Sequence, residues 1–354
     1  MTSTSSSRAG RQRAAAASQG AVAEVATAAL ARGNAIDAVA AGVFAAAAAE
    51  PGVLLGPIQL LLGGAGAGLR AIDGRTRQPG VEQPRPRGFR EEDAVVAASR
   101  VATPALPAAL AAALALGGGA SLARAIGPAL DIARALSPAR RGVLQLLARR
   151  GAAALGESSV RDELLAVAGR VAGGLLGEGD FDALLPVVLT AAVEKGDELE
   201  TATVPWGAAA TRDCGQPPLD AGSVEIVAAS DGRGLIAIAC YEVPSDGLAI
   251  DALGLVAPFC AAPVRRGEPR VRPGDPRPAA APIALAVREG LVELAVGVAR
   301  SREAELDLGA MLRAAMSGTL DEALAALPRS STGSLVGIAR SRDAARVVAD
   351  PRRA

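Results

Sequence analysis

The spacing of apolar residues indicates that the first part of the chain is mainly helical. Asn34 is suited to cap a helix whose apolar positions, such as Val43 and Phe44, recur every three or four residues until Pro51 ends it. The same spacing, interrupted by Gly and Pro, predicts further helical segments over residues 103–119, 122–136, 137–151, 160–176 and 181–196.

Strand patterns dominate after Pro218. Residues 222–243 form two apolar runs around Asp231-Gly232, and residues 282–299 form two runs around Glu289-Gly290, which is typical of two β-hairpins. Further strands are predicted over residues 60–62, 69–72 and 334–341, and a helical pair over residues 308–327. Helices, then strands, then helices again favour a layered α+β fold.

Composition excludes several classes of function. The 354 residues carry 37 basic and 37 acidic side chains, so no net charge attracts the chain to nucleic acid or to an anionic membrane. Histidine is absent, which excludes Ser-His-Asp and Cys-His catalysis and any His-ligated metal site. We therefore expect no metal and no cofactor.

The cysteines and the first residues bear on metal sites, disulfides and cellular location. Cys214, Cys240 and Cys260 lie outside any Cys-x-x-Cys spacing, which favours buried free thiols over a zinc site or a disulfide framework. Residues 1–20 are polar and Ala-rich without the apolar core of a secretory signal, and we predict a disordered tail there. No stretch looks like a membrane-spanning helix, so the expectation is a cytoplasmic protein without a membrane partner.

Six segments, in order along the chain, resemble the γ-glutamyltransferase family of N-terminal-nucleophile hydrolases. They are "ARGNAIDAVAAGVFAAAAAEP", "AIDGRTRQPG", "VATPALPAALAAAL", "AIGPALDIARALSP", "SVEIVAASDGRGLIAIA" and "VVADPRR". The resemblance implies a four-layer αββα sandwich over residues 21–354. It also implies a large-subunit-like part over residues 21–221 and a small-subunit-like part over residues 222–354.

The resemblance also implies where the catalytic groups of an active member would lie. Such members use a Thr at the start of a strand, freed by self-cleavage, as nucleophile and its own amine as base. Alignment on Asp231-Gly232 places Gly222 at that position and Ser223 at the next one. Ser223 could serve as nucleophile only if the strand were one residue shorter, and such a slip turns every later side chain to the other face unless a bulge absorbs it.

Most other catalytic positions carry unsuitable residues. A supporting Thr and a substrate-holding Asn become Cys240 and Glu242, and a Ser-Ser pair becomes Ala279 and Ala280. Ala257–Pro263, where an acidic pair should grip the substrate amine, contains no acid, and "VARS" replaces the Gly-Gly turn of the oxyanion hole. Arg75 alone matches a substrate position, because the family uses this Arg to bind a carboxylate through two hydrogen bonds.

Three hypotheses follow. The first is a catalytically degenerate γ-glutamyltransferase-like protein with a structural, partner or ligand-binding role, in which Arg75 either binds a small carboxylate or pairs with Glu242. The second is a divergent γ-glutamyl or amide hydrolase or transferase that uses Ser223 after autocleavage. The third is a subunit that forms a homo-oligomer, or a heteromer with an active relative.

Overall fold

The computed structural model describes residues 13–64, 66–84, 86–182, 186–196, 199–206, 222–300, 308–309, 312, 334–340 and 345–349. The helices in these ranges are α1 (Gly20–Leu30), α2 (Ala35–Ala49), α3 (Leu106–Gly117), α4 (Leu122–Leu136), α5 (Pro138–Arg150), α6 (Ser158–Ala168) and the short α7 (Gly179–Asp182). Of the described helices, none has both the length and the hydropathy that crossing a bilayer would require.

Fourteen strands are described, and most belong to two six-stranded sheets. The first sheet has the order β1-β7-β8-β2-β3-β4, and the second has the order β14-β13-β12-β11-β6-β5. Strands β9 and β10 form a separate pair. The bounds are β1 (Ala14–Ala17), β2 (Ile58–Gly63), β3 (Arg70–Gly74), β4 (Val187–Thr190), β5 (Ala192–Lys195), β6 (Glu200–Thr203), β7 (Ser223–Ser230), β8 (Ile236–Val243), β9 (Gly247–Ile250), β10 (Leu255–Pro258), β11 (Ile283–Arg288), β12 (Leu291–Ala299), β13 (Ser334–Arg340) and β14 (Ala345–Ala349).

The four layers predicted from the sequence are confirmed. Helices α1 to α6 pack on one face of the first sheet through a large apolar core. The two sheets face each other through a second core that includes Ile226, Ile238 and Leu285. The outer face of the second sheet packs against Leu308 and Leu312. The fold is therefore an α+β sandwich with an αββα arrangement.

Helix α2 begins as the sequence predicts. The Asn34 side chain accepts hydrogen bonds from the backbone N–H groups of Ile36 and Asp37, and the Asp37 carboxylate accepts one from the Asn34 N–H at 2.9 Å. This capping box satisfies donors that a helix start leaves unpaired. Residues 35–48 are all buried, because α2 lies between the first sheet and its neighbouring helices. Its many alanines permit this close packing on all sides.

Both predicted hairpins are confirmed. Strands β7 and β8 pair in antiparallel register from Ser223 opposite Val243 to Ser230 opposite Ile236. Strands β11 and β12 are joined at Glu289 and Gly290, which have φ angles of 50° and 77°. Two successive left-handed residues match the right-handed twist of a two-residue hairpin, and Gly adopts that conformation without strain.

Two predictions about local structure were wrong. A helix was predicted over residues 181–196, but of the positions described there only the end of α7 is helical, and β4 and β5 follow. The run Val187-Val188-Leu189-Thr190 is rich in β-branched residues and pairs with β3, so the sheet edge decides its conformation. Part of the predicted tail over residues 1–20 is also ordered, because β1 pairs with β7 and α1 starts at Gly20.

Other predictions fall partly or wholly outside the described residues. Of the helical pair predicted over residues 308–327, positions 308, 309 and 312 are described, and they are helical. Cys240 and Cys260 are buried and form no disulfide, as predicted, whereas Cys214 lies outside the described ranges. The boundary between a large-subunit-like and a small-subunit-like part at residue 222 stays a prediction.

Candidate functional site

The candidate site lies where β7 begins and β8 ends, next to the loop that follows β3. Side chains of β7 alternate between the two faces of the first sheet. Val224 and Ile226 belong to the core between the sheets, whereas Val227 belongs to the core under the helices. By this alternation Ser223 and Glu225 face the helical layer, away from the space between the sheets.

Gly222, which the sequence resemblance assigns to the nucleophile position, has no room for a side chain. A Cβ atom built on this residue would overlap the carbonyl oxygen of Val243 and would lie 2.6 Å from the Cα atom of Pro244. Both obstacles are backbone atoms, which cannot move aside as the end of a flexible side chain can. The pairing of β7 with β8 therefore makes glycine a steric requirement here, and this backbone excludes a threonine.

The hydroxyl group of Ser223 is held by the buried carboxylate of an ion pair. Its Oγ atom donates a hydrogen bond to the Glu225 carboxylate at 2.9 Å. The same carboxylate oxygen accepts a hydrogen bond from Nε of Arg300 at 2.8 Å, and only 2% of the Glu225 side chain is exposed. The hydrogen bond from Arg300 to Glu225 raises the pKa of Arg300, as expected for a cation beside a buried anion. Ser223 is thus part of a structural network on the helical side of the sheet.

Arg75 is buried directly after β3 and pairs with a carboxylate of that strand. Its Nε and Nη2 atoms donate to the two carboxylate oxygens of Asp73, each at 3.0 Å. The backbone N–H of Arg75 also donates to Asp73 at 2.9 Å, and Arg77 adds a further hydrogen bond at 3.2 Å. Among the described residues, the acidic partner of Arg75 is Asp73, so the alternative pairing with Glu242 does not form. The bidentate contact that the sequence predicted for a ligand carboxylate is made within the chain.

The face of the Arg75 guanidinium is covered by Trp206. The guanidinium carbon lies 5.1 Å from the centre of the indole ring, within the range of a cation–π contact. The indole N–H of Trp206 donates to the side-chain oxygen of Gln59. The Gln59 amide in turn donates to the carbonyl oxygens of Ala279 and Ala280 at 3.2 and 2.7 Å. Protein groups therefore fill the space beside Arg75.

Glu242 is the most perturbed acid of this region. Its side chain is partly exposed, yet its carboxyl group is surrounded by protein, and this desolvation raises its pKa to about 7. The backbone N–H of Ala280 donates to the carboxyl group and opposes the shift. Ala280 thus contributes a backbone donor to Glu242 and a backbone acceptor to Gln59.

The nearby thiol of Cys260 is not activated. Burial and the neighbouring Glu242 raise the pKa of Cys260 to about 12, although a hydrogen bond with Thr76 and the charge of Arg277 oppose the shift. Cys240 lies against the carbonyl oxygens of Gln59 and Ala280, at 3.8 and 3.7 Å from its sulfur. A nucleophilic cysteine needs thiolate character, which the raised pKa of Cys260 does not provide at neutral pH.

Sequence reasoning missed three parts of this site, namely Asp73, Gln59 and Trp206. Asp73 precedes Arg75 by two residues in the quoted "AIDGR" segment, so its proximity was a usable signal. Nothing in the local sequence marks Gln59 or Trp206, because they meet only after β2 and the segment after β6 are placed side by side. No group of three or more acids, cysteines or histidines arranged for a metal ion occurs within the described residues.

Comparison with known proteins identifies the fold. No protein-family model and no curated protein matches the sequence. The structure is similar to cephalosporin acylase from Bacillus halodurans, with a TM-score of 0.75, 14% identity, and coverage of 97% of this chain and 94% of that one. It is also similar to a structure of LmbA2991, with a TM-score of 0.71, 14% identity and 97% coverage of both chains. A γ-glutamyltranspeptidase from Pseudomonas nitroreducens aligns with 53% of the chain at a TM-score of 0.47. The chain therefore shares the α+β sandwich fold of the cephalosporin acylase and LmbA2991 structures.

Proposed function

We propose that this chain is a γ-glutamyltransferase-like protein that has lost hydrolysis and transfer, and that it acts as a binding or scaffold protein which stays uncleaved. The observation that carries the proposal is the packing of Gly222 against the Val243 carbonyl group and Pro244. Chemistry of this fold needs a side-chain nucleophile at the start of the strand that β7 represents. The backbone at that position admits only glycine.

Ser223 does not replace the missing group. Its hydroxyl is on the helical face of the first sheet and donates to Glu225. To attack a substrate between the sheets it would have to turn to the opposite face, which requires a one-residue shift of β7 against β8. That shift would change all eight cross-strand pairs of this hairpin and would turn the other side chains of β7 to the opposite face of the sheet.

The substrate side of the site is also occupied. Arg75, which the resemblance assigns to a ligand carboxylate, already has both oxygens of Asp73 and the ring of Trp206 as partners. A ligand carboxylate would have to displace a buried, bidentate ion pair, which would leave Asp73 with Arg77 as its cationic partner and would cost free energy because the displaced charges are buried. This supports a structural role for the residues around Gly222 and Arg75, with other molecules bound elsewhere on the protein.

The proposal is tested by activity measurements on the purified chain. We expect no release of product above a buffer blank from a γ-glutamyl anilide, from glutathione or from a cephalosporin, for wild type and Ser223→Ala alike. Gly222→Thr should not gain activity and should lower the thermal stability, because its side chain collides with backbone. Turnover in the wild type that disappears in Ser223→Ala would overturn the proposal in favour of a Ser223-dependent hydrolase.

A further inference from the structure

A cavity of about 500 Å³ lies in the helical layer, between the end of α1, the start of α2 and one face of α4. Small residues form much of its wall, among them Ala29, Ala41 and Gly127. The residues around Gly222 and Arg75 do not line it. Its volume falls within the range of small-molecule sites, which are mostly apolar with a few polar groups.

Both basic and acidic side chains line this cavity. Arg32, Arg124 and Asp131 line it, and all three are exposed. The Nη2 atom of Arg124 donates to the backbone carbonyl of Arg32 at 3.4 Å, which keeps the two arginines close together. Asp131 makes only a solvent-exposed ion pair with Arg134 at 3.3 Å, and such a pair exchanges at little cost.

The other carboxylate at the cavity, that of Asp37, already accepts hydrogen bonds from the backbone. It accepts hydrogen bonds from the N–H groups of Asn34, Gly119 and Ala120 at 2.9 Å. It therefore fixes the wall between α2 and the start of α4. Asp131 is left as the acidic group able to meet a ligand.

Pro128 forms part of the α4 wall of the cavity. It lies inside α4, and its ring takes the place of the N–H group that would donate to the Arg124 carbonyl four residues earlier. Two guanidinium groups and one carboxylate at the same cavity suit a molecule that carries both an ammonium and a carboxylate group.

We propose that this cavity binds a small zwitterion of the amino-acid or dipeptide class. The ligand carboxylate would contact Arg32 and Arg124, since a guanidinium matches carboxylate geometry. The ligand ammonium group would contact Asp131. The inference goes beyond the proposed function, because the cavity shares no residue with the site around Gly222 and Arg75.

Gly127 offers a steric test with a matched control. A Cβ atom at Gly127 would meet no other atom within 4 Å, so Gly127→Leu places a side chain in the cavity without displacing the core. Gly142 in α5 is also a helical glycine with open space around its Cβ position, but it does not line the cavity. Gly142→Leu therefore reproduces the change in helix propensity alone.

Calorimetric titration should be performed with free amino acids and with alanyl-alanine, together with their N-acetylated and amidated derivatives. We expect at least one unmodified zwitterion to bind the wild type and Gly142→Leu equally, and Gly127→Leu not to bind it. Arg32→Gln should weaken binding by about tenfold, as should acetylation of the ligand amine. The proposal is overturned if none of the probes binds the wild type, or if Gly127→Leu binds as the wild type does.

Discussion

The pH dependence of stability should report directly on Glu242. Burial raises the pKa of this carboxyl group from 4.5 to about 7 in the folded chain. Below pH 4.5 the group is neutral in both the folded and the unfolded state. Between pH 4.5 and 7 the folded state keeps a proton that the unfolded state has released, so the free energy of unfolding falls as the pH rises. Above pH 7 the group is charged in both states and the loss is constant.

The magnitude follows from the two pKa values. One unit of pKa difference corresponds to about 1.4 kcal/mol, so the rise from 4.5 to about 7 gives an upper limit of about 3 kcal/mol. Glu242→Gln removes this loss, because the amide stays neutral and its oxygen can still accept the hydrogen bond from Ala280. The variant should therefore match the wild type near pH 4.5 and exceed its stability by up to about 3 kcal/mol at pH 8.

Urea denaturation of both proteins at pH 4.5 and pH 8 measures the effect. The other carboxylates titrate in both proteins, so the difference between the two unfolding free energies isolates Glu242. Glu194→Gln, at an exposed position of β5, controls for the loss of one negative charge. The reasoning is refuted if Glu242→Gln and the wild type differ by the same amount at both pH values, or if the variant is less stable at pH 8.

Further stability predictions concern Gly222 and the Arg75 ion pair. Gly222→Ala should lower the free energy of unfolding by about 2 kcal/mol or more, because its methyl group meets backbone atoms. Gly142→Ala should raise the free energy of unfolding by about 0.5 to 1 kcal/mol, because alanine favours a helix more than glycine does. Chemical denaturation measures both changes, and two changes of the same sign would contradict the prediction. Asp73→Asn should cost about 3 to 5 kcal/mol by leaving Arg75 buried without its anion, against less than about 1 kcal/mol for Asp162→Asn in an exposed pair. Equal thermal midpoints for these two variants would show that the Asp73 pair is not structural.

Local sequence patterns predicted the elements that local chemistry determines. Asn34 and Asp37 predict the start of α2, because the capping box that they form lies within four consecutive residues. The β7–β8 and β11–β12 hairpins follow from turn residues between alternating strands. The edge strands β4 and β5 were misassigned because short apolar runs suit either a helix or a strand, and pairing with β3 and β6 decides between them.

The candidate site was only partly predictable for a related reason. The sequence showed that Gly222 carries no nucleophile, but it could not show that a side chain is sterically excluded. That exclusion arises from Val243 and Pro244 on the opposite strand. The prediction that Arg75 would be available to a carboxylate likewise did not take account of Trp206, which reaches it from a distant segment. Contacts of this kind depend on how the sheets assemble.

The central claim, that the chain does not process itself, is tested most directly by its intact mass. Mass spectrometry of the purified chain after prolonged incubation at neutral pH should show one species at 35.1 kDa, since Gly222 offers no hydroxyl or thiol to attack the preceding carbonyl. A Ser223→Ala sample incubated in parallel should give the same result apart from the substitution. Two fragments, with the smaller one beginning at Ser223 and missing from the variant, would contradict the account.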